Sequence, residues 1–217
     1  MLRGERVALR ARIESDVAIL HTELYDDVHT RSRADGRPWR PISPDAPAAP
    51  YRISDPTDDW AAFSVVELTD GHPLAGEAIL WGIDLHHRRA HIGVSLRPAF
   101  RGRGLAADAV KVLCEYAFVV RGLHRVAIET LRDNVAMLRT AEQTGFVREG
   151  VLRKAAWVNG EFLDEVIFGL LVEEWAELRG RRAHLGLDPG TAERSRLDEI
   201  VDEAGRESFP ASDPPAF

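Results

Sequence analysis

The sequence predicts a mixed α/β fold of the α+β kind: a largely antiparallel central sheet flanked by helices. Three observations carry that prediction. Residues 62–68, 74–83 and 90–96 are short β-rich runs separated by turn signals, including Asp70-Gly71, which is the pattern of consecutive antiparallel strands. A Gly-rich turn at Arg101-Gly102-Arg103-Gly104 leads into Ala106, Ala109, Val110, Leu113 and Ala117, spaced as one apolar helix stripe. Asn159-Gly160 joins two long strand-like runs, residues 147–158 and 161–171, as a two-residue hairpin would.

The remaining elements follow in order. Residues 7–10 alternate and read as a first strand. Ser15 or Asp16 is placed to cap a helix carrying Val17, Leu20 and Leu24. Residues 30–58 hold Pro38, Pro41, Pro44, Pro47, Pro50 and Pro56, and read as a long irregular loop. Its Trp39 and Tyr51 leave open whether it faces a substrate or wraps the surface. The helix after the Gly-rich turn is expected over 105–120 and stops at Gly122. A strand is expected at 125–130, and a helix from Asp133 or Asn134 to Gly145. A short helix over 173–179 closes the domain, 1–179. Residues 180–217 change composition and read as a charged appendage with one possible helix, 191–204.

Composition narrows the function. The chain has 217 residues, 45% hydrophobic and 29% charged, as an ordinary globular protein does. The net charge of −7 argues against a nucleic-acid partner and for a cationic small molecule. No apolar run reaches membrane-spanning length and residues 1–12 lack a signal core, so a cytoplasmic protein without a membrane partner is expected. The lone Cys114 reads as a buried apolar residue. His86 and His87, with no carboxylate or cysteine read at ligand spacing, belong to a solvated turn, and no metal is expected.

The segment Arg101 to Ala106 carries the chemistry. Gly102 and Gly104 permit positive φ and close backbone approach. Free N–H groups opening a helix, helped by its dipole, make an anion site, and Arg101 and Arg103 add charge. The implied ligand is a phosphate or pyrophosphate. A Walker loop is excluded, because no Gly-Lys-Ser/Thr follows a four-residue spacer. A dinucleotide fingerprint is excluded too, because there is no third glycine and the preceding strands read as antiparallel.

The run from Val94 through Arg101-Gly102-Arg103-Gly104-Leu105-Ala106 resembles the acetyl-CoA signature of the GNAT acetyltransferases. Asn134 with Gly145-Phe146, and the Asn159-Gly160 hairpin, extend the resemblance to the RimJ/RimL-like branch over about residues 4–178. It implies a splayed strand pair binding acetyl-CoA as co-substrate, with backbone groups of Val94, Ser95 and Leu96 meeting the pantetheine arm. It also implies that Arg101, Gly102, Arg103, Gly104, Leu105 and Ala106 hold the pyrophosphate, while Asn134 bonds the cofactor near its reactive end. Asn134 also suits a helix N-cap, and the two roles can coexist. The implied activity is acetyl transfer to a primary amine, either a small cationic amine or a protein N-terminus. Oligomeric state, including a homodimer, is left open.

Four positions depart from the family pattern. The usual tyrosine and serine acids are replaced by Ala141 and Met137. The usual glutamate before Ile-Gly is His91, whose imidazole suits a general base. Glu77, expected on the neighbouring strand, is the second candidate base. A glutamate that the branch can place near Ala156-Trp157 is missing. The lost acid also admits a non-catalytic acyl-CoA-binding protein on the same scaffold.

Overall fold

The computed structural model describes residues 1–34, 36–55 and 57–184, the last four as backbone only. An eight-stranded sheet runs through it in the order β1-β2-β3-β4-β5-β6-β8-β7. The strands are β1 (Leu2–Arg3), β2 (Val7–Arg10), β3 (Trp60–Glu67), β4 (Leu74–Asp84), β5 (Arg89–Leu96), β6 (Arg125–Leu131), β7 (Val147–Val158) and β8 (Glu161–Leu171). Every neighbouring pair is antiparallel except β5 and β6, which are parallel. The mixed, largely antiparallel sheet is the one the sequence predicts.

Five helices are described. They are α1 (Glu14–Leu20), α2 (Val28–Ala34), α3 (Leu105–Glu115), α4 (Val135–Gln143) and α5 (Val172–His184). Helix α3 packs on β2, β4 and β5. Its Ala109, Val110 and Leu113 are fully buried, as is Ala117 in the turn that follows, while Ala106 is half-buried. Helix α1 lies on the other face, where Asp16 accepts from Ser64 of β3 at 2.7 Å. Asp16 is not the residue before the helix, as expected, but its third position. There it accepts the Ile13 N–H at 3.1 Å and two hydrogen bonds from Arg10.

Two expectations need correction. The proline-rich segment does not become irregular at residue 30, because α2 occupies Val28–Ala34. None of its residues is buried, so no apolar stripe announced it, and Asp27 opens it by accepting from the Thr30 N–H at 3.2 Å. The helix expected over 105–120 is α-helical only to Glu115 and widens into a π-turn at Tyr116–Val120. A similar π-turn at His21–Tyr25 follows α1. The loop after α2 is well packed: Tyr51 is buried against Leu20, Leu24, Tyr25 and Leu74, with Trp39 and Ile42 at the edge.

One compact unit spans Met1–Trp175 and contains everything described below. The backbone of α5 continues to His184, and the helix expected at 191–204 lies outside the described residues. No helix among the described residues is long and apolar enough to cross a membrane.

Candidate functional site

The sheet opens where its one parallel pair ends. The β5–β6 ladder consists of Arg89↔Arg125, Ala90↔Val126 and His91↔Ala127, and goes no further. Beyond it β5 stays paired with β4 as far as Leu96, and β6 with β8 as far as Leu131. The two strands therefore diverge, and the β6-facing edge of residues 92–96 has no strand partner. Backbone polar groups on such an edge bond to water or to a ligand. Val94, Ser95 and Leu96 all lie on this stretch, half-buried. Gly76 of β4 sets its path: a Cβ there would sit 2.2 Å from the Ser95 carbonyl oxygen. Only a glycine permits that approach, beside a bulge in the β3–β4 ladder.

At the far end of β5 the chain passes through a 3₁₀ turn, Pro98–Phe100, into the Gly-rich loop. Gly102 and Gly104 have φ of +72° and +75°, and Gly104 is the left-handed N-cap of α3. The first-turn N–H groups of α3 have no intrahelical acceptors. Both arginines are drawn back from them. Arg101 Nε donates to the Leu96 carbonyl at 2.9 Å, and Arg103 pairs with Glu67. A cleft of ≈ 620 Å³ opens beside the loop, but Glu5 and Glu67 line it along with Arg6 and Arg103. Gly102, Gly104 and Leu105 line it too, so the N-terminus of α3 opens onto a cleft of mixed charge. The loop is anchored by Asp108, whose buried carboxylate accepts the N–H groups of Glu5, Arg6 and Val7 at 3.2, 2.7 and 2.9 Å. No local pattern announces this anchor, because residues 5–7 and Asp108 lie more than a hundred positions apart.

Strand alternation sorts the other candidates. Glu77, Ile79 and Trp81 of β4 stand opposite Ser95, Gly93 and His91 of β5. These six share the face covered by α1, opposite α3. The parallel pair places Ala127 beside His91, so Glu129 shares that face, and Glu165 of β8, opposite Leu131, does too. Glu77 is ion-paired with Arg12, a nearly buried guanidinium that also donates to the Tyr51 carbonyl at 3.2 Å. The proline-rich loop thus reaches this face through Tyr51, whose hydroxyl burial pushes well above its ordinary pKa.

His91 is half-buried. Its ring stacks on Trp81, with centroids 4.4 Å apart and planes at 24°. Its Nδ1 lies 3.4 Å from Glu129 Oε1. Burial depresses its pKa, Glu129 pulls it back up, and Arg89 and Arg125 lower it further, with a net fall. Glu165 is raised by burial and by the Glu129 charge. Sequence reasoning missed Glu129, Glu165 and Trp81, because only the strand order places them around His91.

Asn134 is the N-cap of α4. Its Oδ1 accepts from the Met137 N–H at 3.2 Å, and its Nδ2 donates to Thr130 Oγ1 at 3.1 Å. Of the usual acid positions, Ala141 is fully buried. In the exposed turn, His87 Nδ1 lies 2.8 Å from Asp84, so a carboxylate does come near the histidine pair. Even so, no group of three metal-ligating side chains occurs among the described residues.

Comparison with known proteins agrees with this geometry. A model of the acetyltransferase (GNAT) domain matches residues 6–147. The chain is 37% identical over 108 residues to the Bacillus subtilis (strain 168) protein named "Putative ribosomal N-acetyltransferase YdaF", covering 50% of this chain and 58% of that one. It is 29% identical over 92 residues to spermidine N(1)-acetyltransferase of Escherichia coli (strain K12), covering 42% of this chain and 50% of that one. The chain thus spans little more than half the length of these relatives. In fold it resembles the crystal structure of spermidine N-acetyltransferase from Vibrio cholerae in complex with CoA and spermine, with TM-score 0.69, 24% identity, and coverage of 78% of this chain and 98% of that one. A diverging β5–β6 pair, a phosphate-type loop opening α3 and a family match over most of the compact unit converge, and the chain belongs to the GNAT acetyltransferase family.

Proposed function

We propose that this protein transfers an acetyl group from acetyl-CoA to a primary amine, and that the amine is a small cation. The divergence of β5 from β6 ahead of the Gly102–Gly104 loop is the observation that carries this reading. The loop backbone would hold the pyrophosphate, and Arg101 and Arg103 would add their charge on leaving the Leu96 carbonyl and Glu67. Val94, Ser95 and Leu96 would meet the pantetheine arm along the unpaired edge. From Leu96 back to His91 is roughly 17 Å of extended strand. An extended arm anchored at the loop therefore ends near the point where the ladder closes. Asn134, while capping α4, keeps one amide hydrogen for the cofactor. Bound acetyl-CoA would supply the acyl group as a thioester.

The chain's own residues handle the amine. An aliphatic amine with a pKa near ~10 arrives protonated. His91, kept neutral by burial, takes one proton at Nε2 and releases it to solvent. The second amine proton leaves with the sulfur as the C–N bond forms and the C–S bond breaks, giving amide and thiol. No side chain at Met137 or Ala141 is needed for that step. Glu129 and Glu165, on the His91 face, favour a cationic acceptor, as does the net charge of −7. The spermidine acetyltransferases among the relatives support a polyamine-like substrate over a protein N-terminus. Glu77, tied to Arg12, serves as a wall of the acceptor site before it serves as a base. Membership of the RimJ/RimL-like branch, a cytoplasmic setting and a catalytic domain ending near residue 179 belong to the same proposal.

The first test is thermal melting with and without acetyl-CoA, beside Gly104→Glu. Ligand at ~100 times its dissociation constant adds ~2.7 kcal/mol, or about 5–10 °C for a domain of this size. That shift should appear in the wild type and vanish in the variant; no shift at millimolar acetyl-CoA overturns the reading. The buried Ala141 favours one alternative, a non-catalytic CoA-binding protein. It predicts the same melting shift with no amine-dependent release of CoA.

A further inference from the structure

We propose that Glu129 is a positioning residue for His91: its carboxylate, on the first same-face position of β6 beyond the closed ladder, holds the imidazole with the proton on Nδ1 and so presents Nε2 to the acceptor amine. This rests on the acetyl-transfer reading above and adds a residue to it.

Four observations combine. First, His91 Nδ1 is buried and makes no hydrogen bond, yet Glu129 Oε1 stands 3.4 Å away. An orphaned buried donor or acceptor is costly, and since the distance is already within hydrogen-bond reach, a small turn of the carboxylate into line with Nδ1–H would remove the penalty. Catalytic hydrogen bonds are often long before substrate binds and tighten in the complex. Second, the ring's tilt is already fixed. Trp81 stacks on one side, with ring centroids 4.4 Å apart. What the stack does not fix is the tautomer, and the carboxylate does.

Third, the place is right. His91 and Ala127 form the last rung of the ladder, so the pair sits at the vertex of the opening where the acyl end arrives. Fourth, the neighbouring charges leave Glu129 to His91. Arg125 of β6 is held by Glu149 of β7 through two hydrogen bonds. Arg89 of β5 turns to Asp84. Glu165 of β8 repels Glu129 rather than binding it, and Trp81 of β4 carries no charge. Glu129 is therefore the only carboxylate among these neighbours that bears on Nδ1.

The test uses the full chain with Glu129→Gln, Glu129→Ala and Glu129→Asp. NMR of the His91 imidazole reads its tautomer and titration midpoint. The pH profile of kcat/KM for a polyamine probe, with KM for acetyl-CoA, reads its role. In Glu129→Gln the His91 midpoint should fall by about one pH unit, as expected for losing a charge at this distance. The acidic limb of kcat/KM should move with it. In Glu129→Ala the Nδ1–H tautomer should lose its preference and kcat should drop at least about tenfold, with KM for acetyl-CoA unchanged. Glu129→Asp should recover part of both effects. An unmoved His91 midpoint and tautomer overturn the proposal. So does a fall in kcat with an unshifted pH profile, which marks a merely structural role. If the wild-type protein acetylates no amine, the functional reading fails, and the NMR arm still upholds or overturns the pairing.

Discussion

Single residues carry much of the specification of this site. Gly76 and Asp108 are the clearest cases, and neither touches the chemistry. Gly76→Ala would drive a methyl group into the Ser95 carbonyl, 2.2 Å away. It should cost about 1–3 kcal/mol in chemical denaturation, the usual range for overpacking. It should also weaken acetyl-CoA binding, because β5 must move. Asp108→Ala would leave the N–H groups of Arg6 and Val7 without their acceptor beneath the loop. A loss of roughly 2–4 kcal/mol is expected, with the melting temperature as readout. The sequence displayed Gly102 and Gly104 as a motif, because two glycines beside arginines before a helix have few other uses. It could not display Gly76 or Asp108, whose partners lie on other strands. His91 was visible as a departure from a family pattern, but Glu129 was not, since its meaning comes from the register of β6 against β5.

Among the elements, the legible ones were those whose signals are local. Asn159 and Gly160, with φ of +49° and +97°, give the turn that a two-residue hairpin demands, and β7 and β8 occupy the expected residues. Near the turn, Trp157 and Phe162 pair across the strands with centroids 4.8 Å apart, though both are exposed. Replacing both with serine should cost only about 0.5–1 kcal/mol, the scale of a cross-strand pair. A larger loss on dilution would show that a second copy covers them. Helix α2 was illegible because Arg31, Ser32 and Arg33 carry no apolar period, and its anchors are distant side chains. Arg33 pairs with Asp133 at the start of α4, and His29 meets Asn159. The parallel β5–β6 pairing was legible only as a strand–helix–strand order, because no residue on either strand marks where the ladder stops.

For the whole molecule, titration of buried groups sets the pH range of stability. His91 is depressed by burial, so the unfolded chain takes up its proton near pH ~6.5 while the folded protein resists. Its contribution is complete above that pH and is lost as pH falls toward the folded value. Asp16 acts lower. Burial raises it, but hydrogen bonds from Arg10, Ile13 and Ser64 outweigh that and hold it below the ordinary carboxylate range. Its contribution is complete above pH ~4 and is lost below. Denaturation midpoints measured from pH 8 to 5 should therefore decline below about 6.5, and His91→Gln should flatten that decline.

The short β5–β6 ladder has a mechanical consequence. Five strands lie on one side of it and three on the other, and within the sheet only three residue pairs join them. The sheet is thus two leaves stitched along a short seam, with His91 at the last stitch. Flexing of the leaves about that seam would change the width of the gap that would receive the acyl donor, and with it the distance from His91 to Glu129. On the proposed reading, loading the gap and setting the base would be one motion.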